Sequence, residues 1–216
     1  MRNGILHSMT LKELREIVGG LSGPSKMPCH GWSIPAKNCI TGAVLAEEEG
    51  TPCFDCYALK NRYLFANVQI ALERRLARLE DPRWVDAMIE LINRLEAPPK
   101  GSGYFRWFDS GDLQSIEHLQ KIVLVANGTP TVKHWLPTRE VKFVWPWLVK
   151  YKAFPENLTV RISGNKVDMA PPSVELPTST VVTHDWTCPA KSQGNKCGDC
   201  RACWDRNVKN VSYPKH

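Results

Sequence analysis

The chain has 216 residues, 43% of them hydrophobic and 23% charged, which is the composition of a soluble globular fold with one domain or two small ones. Its formal net charge of +6 is spread along the chain, so it favours an anionic ligand without excluding nucleic acid as a partner. The longest apolar run, residues 122–126, is too short to span a bilayer, and the N-terminal residues lack the apolar core of a secretion signal. We therefore expect a cytoplasmic protein that does not enter membranes.

The first half of the sequence predicts helices separated by an irregular segment. Thr10 and Glu13 form a capping-box pattern, which predicts a short helix. Residues 21–53 are rich in Gly, Pro, Ser and Lys and predict a loop. Apolar residues at helical spacing predict a long helix over about residues 56–79, and the Asp-Pro pair at 81–82 predicts the start of another.

The second half alternates strand and helix patterns. Ser115 is the expected N-cap of one helix, and residues 140–152 are expected to form another. The strand candidates are the segments GYFRWFDSGD, TVKHWLP, NLTVRIS and STVVTHD. Strands that alternate with helices indicate parallel βαβ units. We therefore predict an α/β fold, a partial or truncated (β/α) barrel with an irregular cysteine-rich N-terminal loop and a C-terminal metal-binding tail. It would be one domain, with a cysteine-bearing segment (1–56), an α/β core (57–185) and a cysteine-rich C-terminal segment (186–216).

Polar residues follow the predicted strands, at the edge where ligands bind to parallel sheets. They are Asp109, Ser110, Asp112, Thr138, Arg139, Arg161, Ser163, His184 and Asp185. Arg139 and Arg161 are candidates to bind a carboxylate or phosphate. Asp109, Asp112 and His184 are candidates to exchange protons. Any one of them alone is an ordinary loop or capping residue, and together they predict a site.

Eight cysteines are unusual for a chain expected to lie in a reducing compartment, where clustered cysteines indicate metal binding or catalysis. Cys188 is followed after eight residues by Cys197, Cys200 and Cys203, each two residues apart. That tandem spacing is typical of 4Fe–4S loops. A zinc site with four cysteines is the competing interpretation, because it needs only four thiolates at loop spacing.

A second set of cysteines lies near the N-terminus: Cys29, Cys39, Cys53 and Cys56. Their spacing is irregular, but four cysteines around a Gly- and Pro-rich loop can surround a metal centre. A redox dithiol is least favoured, because thioredoxin-like pairs follow a strand and the segment AEEEGTP is a poor strand. His30 is an alternative ligand or an ordinary loop residue. The eight cysteines could form two centres or share one.

Four segments carry a resemblance to a known family: GTPCFDCYALKNRY, FRWFDSGDLQS, NLTVRIS and the ending GNKCGDCRACWDRNVKNVSYPKH. In this order they resemble the phage gene product 88 family of predicted iron–sulfur proteins. The stretch CFDCYA also resembles the second half of the radical S-adenosylmethionine signature. The resemblance implies a phage or prophage protein in the host cytoplasm, with a truncated barrel and iron–sulfur binding. Two features depart from radical enzymes: Glu49 stands where the first cysteine of the signature would be, and a Gly-Gly-Glu stretch is missing.

Two functions follow as hypotheses. The first is an iron–sulfur enzyme in which Cys39, Cys53 and Cys56 hold a cluster with one open iron. This enzyme would act on a small-molecule substrate, either by radical chemistry with S-adenosylmethionine or by Lewis-acid hydrolysis, such as ester hydrolysis. Tyr57, Ser110 and Ser163 are the candidate cofactor contacts. The second is a non-enzymatic protein, stabilised by zinc or a cluster, that binds a host factor or nucleic acid.

Overall fold

The computed structural model describes residues 3–215, which contain one open sheet of six parallel strands. The strands are β1 (Gly31–Trp32), β2 (Tyr104–Trp107), β3 (Lys133–Thr138), β4 (Leu158–Val167), β5 (Thr178–Val182) and β6 (Asn210–Pro214). Each strand pairs in parallel with the next along the chain, so β1 and β6 lie at the two edges. The parallel α/β prediction is confirmed, whereas the partial or truncated barrel is not confirmed: the six strands form an open sheet.

The described residues form seven α-helices. They are α1 (Asn3–Ser8), α2 (Leu11–Val18), α3 (Ile40–Leu45), α4 (Ala66–Arg78), α5 (Trp84–Leu95), α6 (Ile116–Gly128) and α7 (Val141–Tyr151). The helix starts predicted at Thr10 and Ser115 are present, whereas the helix predicted to start at residues 81–82 begins at Trp84, with Arg83 as its N-cap residue. Thr10 and Glu13 form the full capping box of α2, and the Ser115 side chain accepts a hydrogen bond from the backbone N–H of His118 at the start of α6.

The segment after Cys56 corrects one prediction. The helix expected over residues 56–79 begins only at Ala66, and two 3₁₀ turns, Tyr57–Leu59 and Asn61–Leu64, precede it. Asn61 has a positive φ of 49°, and Phe65 is extended, so neither residue continues an α-helix. Apolar spacing alone did not reveal these two breaks.

The alternation of side chains along β2 separates the two faces of the sheet. Phe105 and Trp107 point to the main core, where they pack with residues of α2, α5 and α6. Tyr104 and Arg106 lie on the other side, the opposite face, together with Trp135 of β3. The helices therefore cover one face, and the opposite face is available to other parts of the chain.

Tryptophans fill the core on the helix-covered face. Trp32, Trp84 and Trp107 are fully buried, with ring centroids 5.2 Å apart for Trp32–Trp84 and 6.2 Å apart for Trp84–Trp107. The Trp32 indole N–H donates to the carbonyl of Val18 at 3.0 Å. These contacts fix the short strand β1 against the helices, which positions the residues that follow it at the carboxyl edge. None of the helices in residues 3–215 is long and apolar enough to cross a membrane.

Candidate functional site

Asp112 lies after β2 at the carboxyl edge of the sheet and is buried. Its Oδ1 accepts from the Thr138 hydroxyl at 2.6 Å and from the Leu113 backbone N–H at 2.8 Å, and its Oδ2 accepts from the Arg139 backbone N–H at 2.8 Å. Burial raises the pKa of Asp112 to about 6, against the lowering effect of these hydrogen bonds. The carboxyl group can therefore change its protonation state near neutral pH.

Arg139 follows β3 and brings a positive charge to the same edge. Its Nη2 donates to the carbonyl of Gly164 at 3.3 Å. Its Nε is buried and has no hydrogen-bond partner among the residues that the structure describes. A buried N–H without a partner is costly, so an anionic group bound by Arg139 would satisfy this donor.

Three cysteines lie beside these residues, and we call Cys39, Cys53 and Cys56 the edge cysteine group. The Cys39 thiol is within electrostatic range of both other thiols as well as of Asp112 and Arg139. Burial raises the pKa of Cys39 to about 12 and also raises that of Cys53, while Arg139 opposes the rise in both. The metal-free thiols of Cys39 and Cys53 are thus neutral, and a bound metal cation would be needed to ionise these two.

Gly42 keeps the space between two of these thiols open. A Cβ atom at Gly42 would lie 2.9 Å from the Cβ of Cys39 and 3.6 Å from the Sγ atoms of both Cys39 and Cys53. The two sulfur atoms are therefore at most twice 3.6 Å apart, across a gap that a methyl group would fill. Cys56 supplies a third thiol near Cys39, and three soft thiol ligands fit an iron–sulfur cluster.

Glu140 holds the loop that carries Cys39. It is buried, and its two carboxylate oxygens accept from the backbone N–H of Thr41 at 2.7 Å and from the Thr41 hydroxyl at 2.9 Å. Glu140 lies two residues after β3, so its hydrogen bonds with Thr41 fix the start of α3 to the carboxyl edge. Cys39 is the N-cap residue of α3, so its position is set by the same contact.

Asp109 connects the loop after Cys56 to the end of β2. The Tyr63 hydroxyl donates to its Oδ2 at 3.0 Å, and the Ser33 hydroxyl donates to its Oδ1. The Tyr57 hydroxyl donates to the backbone carbonyl of Asp109. Asp109 and Tyr57 therefore position the cysteine-bearing loop. The sequence had predicted Asp109 to exchange protons and Tyr57 to contact a cofactor.

The other predicted site residues have different surroundings. The Ser110 hydroxyl donates to the carbonyl of Ile34 at 3.0 Å, and the Ser163 hydroxyl lies 3.1 Å from that of Ser179. His184 is exposed, near the carboxylate of Asp168. The backbone N–H and Nδ1 of His30, the alternative ligand, face the Glu96 carboxylate. Of the predicted site residues, Asp112 and Arg139 lie at the carboxyl edge beside the edge cysteine group.

Arg161 is completely buried on the opposite face, where its guanidinium donates to backbone carbonyls at 2.8 to 3.4 Å. The acceptors belong to Thr178, Ala202, Cys203, Asp205 and Val208. Its donors are therefore engaged in holding the C-terminal segment. The structure gives Arg161 a structural role at a position where the sequence predicted anion binding.

The remaining five cysteines lie on the opposite face, and we call Cys29, Cys188, Cys197, Cys200 and Cys203 the face cysteine group. Cys29 packs with Trp135 and Trp204, and Cys203 packs against the same cluster. The eight cysteines are thus divided three and five, and Cys29 is placed with the C-terminal cysteines. Sequence spacing had grouped it with Cys39, Cys53 and Cys56.

No three Cys, His, Asp or Glu side chains in residues 3–215 lie close enough together to hold a single metal ion. The thiolates around a cluster bind separate irons and do not need to meet at one ion. Sequence reasoning missed Gly42 and Glu140 at this site. Neither residue has a distinctive sequence pattern. It is common for a glycine to follow a cysteine by three residues and for a glutamate to come soon after a strand.

These features define a class: a parallel α/β protein with thiols, a buried carboxyl group and an unpaired guanidinium N–H at the carboxyl edge of its sheet. A model of the gene product 88 family matches residues 7–206. The chain therefore belongs to the phage gene product 88 family, as its four segments predicted. Neither the curated proteins nor the solved structures gave a match.

Proposed function

We propose that this protein is an iron–sulfur enzyme whose edge cysteine group holds a cluster with one open iron. The observation that carries the proposal is the grouping of Cys39, Cys53 and Cys56 next to Asp112 and Arg139, with the Gly42 gap between the first two thiols. When bound, such a cluster supplies an iron that can polarise a substrate or cofactor oxygen. Three protein thiolates would leave that iron without a protein ligand.

The chain's own residues would bind the substrate and remove a proton from it. Arg139 would orient a carboxylate or phosphate through its unused Nε–H. Asp112 would accept a proton from the substrate, because its pKa of about 6 leaves it ionised but basic at neutral pH. Among the described residues its Oδ2 accepts a single hydrogen bond, so a lone pair is left for this purpose.

The family match and the parallel strand order support a site at this edge, where a partial barrel related to radical S-adenosylmethionine enzymes would carry its chemistry. Radical cleavage of S-adenosylmethionine and Lewis-acid hydrolysis of an ester are the two reaction classes that the residues allow. The missing first cysteine of the radical signature, where Glu49 stands, favours neither class by itself.

Anaerobic reconstitution with ferrous iron and sulfide tests the proposal. We expect the wild-type protein to become brown, and the variant Cys39→Ser/Cys53→Ser/Cys56→Ser to bind less iron and sulfide per chain. A variant with unchanged iron and sulfide would contradict the proposal. Product analysis then separates the classes: 5′-deoxyadenosine formed under reducing conditions supports radical chemistry, and hydrolysis of small carboxylic or phosphate esters supports the Lewis-acid class.

Arg139→Met tests the substrate role, with Arg62→Met as the control because Arg62 is exposed on the neighbouring loop. We expect Arg139→Met to raise the KM for whichever anionic substrate is turned over and to leave iron binding unchanged. Loss of iron in Arg139→Met alone would indicate instead that the guanidinium stabilises the cluster site.

An exposed apolar surface supports a second candidate function, a metal-stabilised protein that binds a host protein. Side chains that are at least half exposed cluster in the segments next to the edge cysteine group: Val44, Phe54, Leu64, Phe65 and Ile70. Two results together would favour this candidate. The reconstituted protein would turn over neither S-adenosylmethionine nor esters, and the variant Phe54→Ser/Leu64→Ser would lose a binding partner that the wild type keeps.

A further inference from the structure

The face cysteine group brings together residues from distant parts of the chain. Cys29 lies two residues before the first strand, whereas four cysteines lie between β5 and β6, the last two strands: Cys188, Cys197, Cys200 and Cys203. Cys29 is only 8% exposed and packs in a cluster with Trp135 and Trp204, against which Met27, Tyr104, Cys203 and Tyr213 also pack. The sheet, with β1 and β6 at its edges, places both chain segments over one face.

Direct contacts join the two segments at Cys197. Its backbone N–H donates to the carbonyl of Lys26 at 3.0 Å, and its Sγ lies 3.7 Å from the Sδ of Met27. The Cys29 thiol is within electrostatic range of the Cys197 thiol. The loop that carries Cys29 is therefore fixed against the tandem cysteines.

The other cysteines of the group are held close to the same point. The Cys197 thiol is within electrostatic range of Cys188 and Cys200, and the Cys203 thiol is within range of Cys188. The backbone N–H of Cys188 donates to the carbonyl of Ser212 on β6 at 3.0 Å, and that of Cys200 donates to the carbonyl of Cys197 at 3.0 Å. Turns and strand contacts thus present all five thiols on one side of the sheet.

Two arginines supply positive charge to this region. Arg106 stacks on the ring of Trp135 at 4.6 Å, and Arg201 stacks on the ring of Tyr104 at 5.0 Å. Both guanidinium groups interact electrostatically with Cys29 and Cys197. Thiolates bound to a metal carry net negative charge, and neighbouring cations that are already fixed by packing stabilise that charge.

We propose that the face cysteine group is a second metal centre, held by thiolates, in which Cys29 is a ligand together with the C-terminal cysteines. The metal it takes is an iron–sulfur cluster, as the tandem spacing favours and because cluster thiolates bind separate irons. Zinc would need these thiols to turn toward a single point, since no three ligands in residues 3–215 meet at one ion. The centre ties the loop before β1 to the segment before β6. It does not depend on the function proposed for the edge cysteine group, because the two groups have no cysteine in common.

Metal analysis of matched variants tests the proposal. Full-length wild-type protein, Cys29→Ser and the edge variant Cys39→Ser/Cys53→Ser/Cys56→Ser are each reconstituted anaerobically with ferrous iron and sulfide, or loaded with zinc alone. If both groups hold clusters, we expect iron per chain to fall about twofold in Cys29→Ser and to fall about twofold in the edge variant. Wild-type metal content in Cys29→Ser would overturn the assignment of Cys29.

The same experiment distinguishes the failure of this proposal from that of the proposed function. Metal that is lost in Cys29→Ser but kept in the edge variant supports the face centre and counts against the edge cluster. A variant in which Cys188, Cys197, Cys200 and Cys203 are all serine must lose the same metal as Cys29→Ser. If it keeps that metal, the face centre does not exist.

A wild-type measurement covers the case in which Cys29→Ser does not fold. Cadmium NMR of the cadmium-loaded full chain shows scalar couplings between the metal and the Cβ protons of its ligand cysteines. We expect Cys29 to be among the coupled residues. Couplings confined to the C-terminal cysteines would overturn the proposal.

Discussion

The two cysteine groups differ in the space and the fixed contacts around them. At the carboxyl edge, Gly42 leaves a gap between two thiols, and the Arg139 Nε has no hydrogen-bond partner among the described residues. On the opposite face, Cys29 and Cys203 pack with Trp135 and Trp204, and Arg161 donates to five backbone carbonyls. A gap beside a charged donor suits a site that must accept a substrate, whereas a guanidinium whose hydrogen bonds hold a chain segment suits a site that stabilises the fold.

The largest effect in this comparison is expected at Arg161. Arg161→Met leaves five carbonyl acceptors on the opposite face without their donor, so we expect the free energy of unfolding to fall by about 3 kcal/mol or more. Urea denaturation measures this change. Arg206→Met is the control, because Arg206 lies exposed in the same segment. If the two variants are equally stable, the opposite face is not held by this side chain.

The next effect is expected at Gly42. In Gly42→Ala the added methyl group would lie 2.9 Å from the Cβ of Cys39, close to two sulfurs, and would occupy the gap between them. We expect the edge cysteine group to lose most of its iron while the face cysteine group keeps its metal. Gly23→Ala is the matched control, because no atom lies within 4 Å of the added methyl group there. Equal iron content in both variants would show that the gap is not used.

A smaller effect, confined to the carboxyl edge, is expected in the pH dependence of the free energy of unfolding. Burial raises the pKa of Asp112 from 3.8 to about 6, so the native protein binds a proton that the unfolded chain releases between these values. The contribution of Asp112 to the free energy of unfolding therefore decreases as the pH rises from about 4 to about 6.

Asp112→Asn removes this contribution. Between pH 4 and 6, we expect the metal-free wild type to lose about 1–2 kcal/mol more than the variant, as measured by urea unfolding at each pH. Asp199→Asn, in the exposed loop of the face cysteine group, is the control. Parallel pH curves for wild type and Asp112→Asn would contradict the burial argument.

The smallest effect is expected at Thr41. Thr41→Val removes the hydroxyl that donates to the Glu140 carboxylate at 2.9 Å but keeps the backbone N–H contact, so we expect a loss of about 1 kcal/mol in unfolding free energy. Thr131→Val, at an exposed position, controls for the change in β-branched side chain. Unchanged stability would mean that the backbone contact alone fixes α3.

Local signals in the sequence predicted much of the fold. The capping pattern at Thr10 and Ser115 acts over three residues, and the four predicted strands are apolar runs of ordinary length. β1 has only two residues and β6 alternates without a strong apolar run, so neither has a clear strand pattern. Their existence depends on pairing with β2 and β5.

The candidate site was only partly predictable, because its grouping depends on the sheet. Asp112 and Arg139 follow adjacent strands, so their proximity follows from parallel pairing alone. The membership of Cys29 in the face cysteine group depends on which side of β1 its loop crosses, and sequence spacing carries no such information. The backbone contacts of Arg161 could not be predicted for a related reason: most of its partners lie more than 40 residues further along the chain.

That long separation has a consequence for synthesis. The carbonyls that accept from Arg161 lie between 17 and 47 residues after it, so its charge emerges from the ribosome before its partners exist. At about 5–20 residues per second, the opposite face stays open for seconds after β4 has been made. The helix-covered core can form during that interval, and the opposite face closes last. The thiols of the face cysteine group are consequently accessible to a metal donor until the final strand is in place.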